Sequence, residues 1–593
     1  MGAIVVTQAF DLSASPEKIW PLLTDTDRFN RLFGLAPVEY KPIESGDTAA
    51  RFVAQTRNSG FKLVYDEYPY EWTYARNFGV YRRMHGGPVE SYRWTCNLEP
   101  VAGGGTHAEV TFEIRPRFAA LRPIAWMSAR KFVRQLAHLG TLIDDHLERG
   151  AENPYAGAAT RVDKNRLAQV VATLLQKGVS RDLVAKLGTF VSEASDADVT
   201  RVRPYELADL WAMDRREVLR ACLVAVPAGL FELRWGLICP SCRTASQQVR
   251  ALDEISAEGH CQLCDIKFEL GLDRAIEATF LPHPAVRKVT EQLFCITGPG
   301  RTPHVFAQAN LDAGTTRAFE LPQESGRYRL FVRGGATSTL EIDAEGDARV
   351  EATIDRDNVA PAHLHASPGG EISVASSDAR HVKIERLEFA STAASAHAVA
   401  SLPEFRTLFA SDLLKPGTPL KVAHAAILFT DLAGSTALYS SLGDAVAFRL
   451  VDDHFDLLRA AVAAHEGVVI KTMGDAVMAS FIDASHCAAA ALDALQRFGA
   501  FREEGKHREH VALKLGMWAG ACYVVNANGA LDYFGQTVNI ASRVQHLANP
   551  GELVMERSLF ESLPADSRIE AVRDTARVKG VDEPLDLVRI KLR

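Results

Sequence analysis

The stretch Ala426-Ile-Leu-Phe-Thr-Asp-Leu-Ala-Gly-Ser-Thr436 ends an apolar run with a carboxylate and then opens a helical pattern. That change of period decides how the C-terminal part of the chain is read. Ile427, Leu428 and Phe429 predict a short buried strand, and Gly434-Ser435-Thr436 predicts the start of a helix running to about His465. The N–H groups of such a helix start suit phosphate oxygens. Working outward, Lys471-Thr-Met-Gly-Asp475 lies between the apolar runs Val468–Ile470 and Ala476–Phe481. This predicts a β-hairpin with Asp475 at its tip, facing Asp431 on a neighbouring strand. Two carboxylates at strand ends suit oxygen ligation of Mg²⁺ or Mn²⁺ beside a triphosphate. Further on, Asn539 and Arg543 are four apart and share one face of a predicted helix. Arg543 is permanently charged and suited to phosphate. Asp532, seven residues before Asn539, suits an exocyclic amine of a purine, and Lys471 can donate to the same ring. Singly, each motif has a plain structural explanation: a helix cap, a turn residue, a solvated helix face. It is the order and spacing of six positions that carry the nucleotide reading.

With those residues quoted, the segment from about Ala423 to Arg593 resembles the class III nucleotidyl cyclases. The resemblance implies a ferredoxin-like βαββαβ catalytic domain at 423–593. It implies that Asp431 and Asp475 bind two Mg²⁺ or Mn²⁺ ions, that Lys471 and Asp532 select adenine, and that Asn539 and Arg543 orient the ribose and stabilise the transition state. Lys579, in Val578-Lys579-Gly580, matches a lysine that holds the triphosphate in relatives, beside the phosphate-facing Gly434, Ser435 and Thr436. The implied reaction converts ATP to 3′,5′-cyclic AMP and pyrophosphate. Guanylate-forming relatives carry Glu and Cys in place of the Lys and Asp; Cys522 lies ten positions before Asp532 and reads as a core thiol. Because the family's sites form between two such domains and the chain contains one, a homodimer is implied. A reading of another class is a ligand-responsive regulatory protein that contacts DNA or protein and uses the cyclase-like part as a nucleotide sensor.

The 593 residues are too many for one core. A hydrophobic content of 47% with 24% charged residues is that of a soluble globular protein, and the net charge of −8 argues against a nucleic-acid role. No apolar run reaches membrane-spanning length and Met1–Val6 lacks a basic signal region, so a cytoplasmic location is expected. Four of the nine cysteines form two pairs, Cys239-Pro-Ser-Cys242 and Cys261-Gln-Leu-Cys264. This is the spacing of a zinc ribbon at 237–274, two tight knuckles completing a closed structural Zn²⁺ site, with His260 as a bystander. Reduced thiol couples are the alternative.

Residues 1–150 read as a separate unit. An alternating strand over Val5–Leu12 precedes a helix started by Ser15-Pro16, and strand-like runs follow at Arg51–Thr56, Glu90–Leu98 and His107–Arg115. A long amphipathic helix closes the unit with Phe132, Val133, Leu136, Leu139, Ile143 and Leu147. This order resembles the START-like, polyketide-cyclase-like helix-grip superfamily, which implies an apolar cavity for a hydrophobic small molecule. A filled core is the alternative. Residues 160–236 read as helical and winged-helix-like, with Tyr205–Trp211 and Arg215–Cys222 as a helix-turn-helix. Arg215, Arg216 and Arg220 are too few for a phosphate-binding surface. Residues 275–390 read as a β-sandwich-like region and 391–422 as a linker. The expected architecture is multidomain α+β.

Overall fold

The computed structural model describes residues 2–593 except 44–49, 51, 59–60, 157–160, 256–257, 357, 388–391, 410–413, 415–418, 436, 438–439, 441–442, 504–507, 528–529 and 565. At the N-terminus, strand Ile4–Leu12 pairs antiparallel with Thr106–Pro116, which pairs in turn with Val89–Pro100 and Asn77–Met84. Helices Pro16–Leu23 and Thr26–Leu32 follow the first strand, and helix Arg122–Arg149 lies across the sheet. The apolar stripe of that long helix is buried at Val133, Leu136, Leu139 and Ile143. Asp144 holds its end to the sheet by accepting from the backbone N–H groups of Ser13 and Ala14 at 3.0 and 2.8 Å. Aromatic rings occupy the space between helix and sheet: Phe132 lies 4.9 Å from Phe112 and 5.3 Å from Trp94, centroid to centroid, and Trp94 lies 5.3 Å from Phe78.

This unit does not stand apart as its sequence boundary at residue 150 suggests. Strand Glu71–Thr73 pairs with Val305–Leu311, so the N-terminal sheet runs without a break into the β-rich region as a single fifteen-stranded sheet. The segment before that strand also returns to the N-terminal helices, where Asp27 Oδ1 accepts from the N–H groups of Phe294 and Cys295. Hydrophobic periodicity reports what is buried along a segment, not which distant segment buries it, and for this reason the junction was not legible.

In the middle of the chain, helices Lys164–Gln176, Arg181–Glu193, Pro204–Trp211 and Arg215–Ala228 pack on a three-stranded sheet ordered Ala245–Val249, Phe231–Ile238, Ile276–Pro282. The two expected helices of a helix-turn-helix are present, the second extending past Cys222 to Ala228. The strand after them is the centre of a sheet completed by Ile276–Pro282. That strand corrects the boundary at 275, because it belongs with the helices and not with the β-rich region. The latter contains Val305–Leu311, Thr315–Glu320, Gly326–Val332, Thr337–Asp355, His363–Ser376 and Arg380–Arg386 around one apolar core, with Thr337–Asp355 and His363–Ser376 pairing parallel.

The segment expected as a linker, 391–422, is corrected too. It forms helices Ala396–Ala400 and Pro403–Leu408, whose Ala396, Val399, Leu402 and Phe405 join one continuous core with Trp235, Phe280, Ile427 and Tyr533. Ser and Ala gave it the composition of a tether, but small residues also allow close helix packing. Buried His397 in this segment makes stability depend on pH. Burial pushes its imidazole down to about 4, against about 6.5 in an unfolded chain. The unfolded state therefore takes up more protons between those values, so stability is intact above pH about 6.5 and is lost as pH falls toward about 4, by about 3 kcal/mol in all. Urea midpoints measured across this window should fall more steeply in the wild type than in His397→Phe, which keeps the smaller dependence set by buried His304 and His454.

The C-terminal sheet is ordered Val468–Met473, Ala476–Phe481, Leu420–Ala433, Ala512–Ala527, Leu553–Glu556, Leu585–Leu592, Ile569–Ala576, with Ala530–Phe534 also on Ala512–Ala527. Its first strand starts at Leu420, three residues before the expected boundary. Successive residues point to opposite faces. Ile427 and Phe429 enter the core shared with helix Gln536–Leu547, while Ala426 and Leu428 enter the core beneath helices Asp444–Ala464 and Ala484–Glu503. Burial on both faces is why this strand reads as an unbroken apolar run. Helix Asp444–Ala464 corrects the single helix expected from Gly434 to His465, because Gly443 at φ +77° interrupts it.

Candidate functional site

Asp431 follows Thr430, which faces Val477 across two antiparallel strands and accepts that residue's N–H at 3.2 Å. Asp475 lies two residues before Val477 in the hairpin turn, where Gly474 adopts φ +67°. Strand register therefore brings both carboxylates to the same end of neighbouring strands. Gly434 turns the chain at φ +91°, and a Cβ there would come within 2.4 Å of the His510 carbonyl oxygen. Ser435 is helical, and Thr436 lies outside the described residues. His454, buried in helix Asp444–Ala464, carries no sequence signal; burial pushes its imidazole down, against the opposing pull of the Val451 carbonyl and of Asp475.

Lys471 and Asp532, from separate strands, form an ion pair at 2.6 Å with Lys471 partly open to solvent. The other carboxylate oxygen of Asp532 accepts from the Tyr533 N–H at 2.8 Å, which fixes its orientation. Cys522 is buried in strand Ala512–Ala527, and burial pushes its thiol up to about 12.

Helix Gln536–Leu547 buries Val538, Ile540, Ala541 and Val544, leaving Asn539 exposed and Arg543 partly exposed on its other side. The helix lies flush on the sheet because Gly516 and Gly520 carry no side chains: a Cβ at Gly516 would meet the Gln545 N–H at 2.2 Å. Gly580 approaches Arg543 so closely that a Cβ there would stand 3.0 Å from Nη1. The Val578-Lys579-Gly580 turn is thus brought beside Arg543, with Lys579 exposed. Three clusters result: two carboxylates, a Lys/Asp pair, and an Asn/Arg helix face with a lysine turn. Among the described residues, no hydrogen bond or ion pair joins Asp431 or Asp475 to Asn539, Arg543 or Lys579.

The four cysteines Cys239, Cys242, Cys261 and Cys264 are buried, with sulfur atoms all within 4.8 Å of one another. The residues directly after the two pairs, Arg243 and Asp265, take matching left-handed conformations at φ +53° and +56°. Each pair is therefore a tight knuckle, and the Ser241 N–H donates to the Cys239 sulfur at 3.4 Å. Four convergent thiols with Lys383 Nζ 3.2 Å from the Cys264 sulfur fit a thiolate-bound metal such as Zn²⁺. His260 stays outside the group, exposed beside Gln262.

The arginines of the helix-turn-helix segment are engaged within the protein. Arg215 pairs with Asp209, Arg216 donates to the carbonyl oxygens of Glu466 and Ser401, and Arg220 pairs with Glu404.

A family of unknown function matches residues 165–293. Among curated relatives, retinal guanylyl cyclase 1 of Bos taurus is 26% identical over 186 residues, covering 29% of this chain and 17% of that protein. An adenylate cyclase of Anabaena cylindrica is 26% identical over 181 residues, covering 28% and 36%, and putative adenylate cyclase 3 of Rhizobium meliloti is 29% identical over 167 residues, covering 28% and 27%. The chain thus spans well under half the length of these relatives. Among solved structures, an adenylyl cyclase of P. aeruginosa is 19% identical with a TM-score of 0.27, covering 29% of this chain and 95% of that one. Both adenylate and guanylate cyclases are among the relatives, so the comparisons leave the purine open. The chain carries, at residues 420–588, a catalytic domain of the adenylate and guanylate cyclase family, and at residues 3–144 a domain of the polyketide cyclase / dehydrase and lipid transport family.

Proposed function

We propose that the chain is an adenylate cyclase forming 3′,5′-cyclic AMP and pyrophosphate from ATP. The observation that carries the purine is the Lys471–Asp532 pair, a donor and an acceptor held side by side at 2.6 Å and complementary to the edge of adenine. In this reading the carboxylates of Asp431 and Asp475 hold two Mg²⁺ or Mn²⁺ ions, whose oxygen-ligand preference they fit. When bound, the ions would acidify the ribose 3′-hydroxyl and hold the triphosphate. Asn539 orients the ribose, while Arg543 and Lys579 meet the phosphate charge that develops during displacement. Asp431 and Asp475 act with Lys471, Asp532, Asn539, Arg543 and Lys579 of a second copy, so the active form is a homodimer with two equivalent sites. The N-terminal regions adjust this geometry, because a reacting group displaced by about 1 Å costs on the order of a hundredfold in rate.

Cyclic AMP and cyclic GMP formed from ATP and GTP with Mn²⁺ test the reading directly; activity with GTP alone contradicts it. The double change Lys471→Glu with Asp532→Cys should lower kcat/KM for ATP at least about a hundredfold, since each altered group leaves a buried partner unpaired.

The cysteine cluster is read as structural Zn²⁺, about one per chain by elemental analysis. Cys264→Ser should lose the metal and lower the melting temperature, since binding of such a metal is folding free energy. Metal-free wild type with unchanged melting would contradict the assignment.

A further inference from the structure

Arg406, in helix Pro403–Leu408, makes two contacts that none of the roles above explains. Its Nη2 donates to the carbonyl oxygen of Ile470 at 3.3 Å and to that of Leu531 at 2.8 Å. These residues stand directly before Lys471 and Asp532. Ile470 is also the extra residue of a β-bulge: Val469 pairs with Ala479 and Lys471 with Met478, so nothing opposes it. A bulge re-aims the neighbouring side chain and leaves a backbone group outside the ladder. The guanidinium takes up that group and ties it to the strand bearing Asp532. The other side of the helix faces the middle region. Glu404 pairs with Arg220, and Phe405 is fully buried, its ring 5.8 Å from that of Trp235.

We propose that Arg406 is a positioning residue that holds Lys471 and Asp532 in register for the base, and that it carries movement of the middle region into purine recognition. The inference rests on the adenylate reading. Its test is binding of fluorescent N-methylanthraniloyl ATP and GTP to the full chain, which needs no turnover. Arg406→Leu should weaken the ATP analogue about tenfold and reduce the ATP:GTP affinity ratio to match, with Arg406→Lys restoring most of it. Arg220→Met, which removes only the Glu404 contact, should shift the same ratio by a smaller factor. An unchanged ratio in Arg406→Leu, or loss of both nucleotides equally, overturns the positioning role, and an unchanged ratio in Arg220→Met overturns the coupling to the middle region. Wild type that binds the ATP analogue selectively but makes no cyclic nucleotide would count against the cyclase reading alone.

A second observation stands independently of the first. Phe118 (62% exposed), Ile124 (56%), Trp126 (43%) and Met127 (56%) present large apolar side chains at the start of helix Arg122–Arg149. Trp126, Met127, Arg130, Lys131 and Arg134 line one shallow groove, as the four-residue spacing 126, 130, 134 requires. Between Ile114 and Ile143 the sequence holds six cations and no Asp or Glu, in a chain of net charge −8; Arg115 pairs with Glu113, and Arg117 and Arg122 donate to the carbonyl oxygens of Met84 and Gly2, which leaves Arg130, Lys131 and Arg134 as the cations of the groove. No helix among the described residues is long and apolar enough to cross a membrane.

The structure assigns this face to peripheral docking on an anionic lipid surface. Exposed aromatic and apolar groups enter the interface while the cations meet headgroup phosphates. A nucleic acid would match the charge but not the apolar side chains. Full-length protein should co-sediment with vesicles of phosphatidylcholine containing roughly a third phosphatidylserine, and far less with phosphatidylcholine alone. Arg130→Gln with Lys131→Gln and Arg134→Gln should weaken binding about a hundredfold, and Trp126→Ala with Met127→Ala should weaken it without altering its salt dependence. Absence of binding to the anionic vesicles, insensitivity to the charge variant, or concentration-dependent self-association abolished by the same variants overturns the assignment.

Discussion

Asp431→Ala is expected to reduce cyclic nucleotide formation by about a thousandfold or more while leaving the chain folded. The magnitude follows from what the carboxylate does. A metal that polarises phosphoryl oxygens contributes several kcal/mol to the transition state, and each 1.36 kcal/mol is a factor of ten in rate. The fold should persist because Asp431 lies near the end of strand Leu420–Ala433 at a partly exposed position, whereas the neighbours that hold the sheet, Thr430 and Leu432, are buried. Asp475→Ala should behave in the same way, since its hairpin turn is set by Gly474 and its strand by the pairing from Ala476 onward. Rates of cyclic AMP production with Mn²⁺, alongside circular dichroism and melting curves, separate lost chemistry from lost structure. A variant that folds and retains a tenth of the wild-type rate would remove Asp431 from the metal site.

The second large effect is recovery of activity on mixing two inactive variants. Asp431→Ala and Arg543→Ala should each lose about three orders of magnitude, the second because Arg543 meets charge that develops only in the transition state. If the two groups act across a dimer, the mixed dimer has one site with both residues intact and one with neither. Equimolar mixing should then restore roughly a quarter of wild-type activity, as two-fold symmetry with random pairing requires. If both residues served one site within a single chain, the mixture would stay as silent as its components. The outcome also bears on the separate clusters of the isolated chain, where no hydrogen bond or ion pair among the described residues joins Asp431 or Asp475 to Asn539, Arg543 or Lys579. Subunit exchange must be allowed to reach equilibrium before the assay.

Legibility varied along the chain for physical reasons. The strand around Leu428 and the hairpin around Gly474 follow from apolar runs, alternation and turn chemistry, all of which are local. Helical periodicity carries across Gly443 and predicts one long helix after Gly434, while the backbone there takes a positive φ that breaks it. The 391–422 segment reads as a tether because composition alone cannot distinguish solvated small residues from closely packed ones. Ile276–Pro282 reads as part of the β-rich region but pairs with Phe231–Ile238, because an alternating strand does not name its partner. His454 and Arg406 are silent in the sequence for a related reason: neither belongs to a spaced motif, and each matters through contacts with distant residues.

The sequence by itself determined which chemistry is present. Carboxylates at a strand end and a turn, a Lys/Asp pair, an Asn/Arg helix face and two Cys-x-x-Cys knuckles are recognisable from residue types at short spacings. Tertiary structure decided what is joined to what. It closed Lys471 onto Asp532, gathered four sulfurs within 4.8 Å, merged the N-terminal sheet with the β-rich region, and seated Arg406 on carbonyls 64 and 125 residues away along the chain. Such contacts form because the closing of long loops costs little more than that of short ones. Burial then selects partners by shape and hydrogen-bond need, neither of which any short stretch of sequence records.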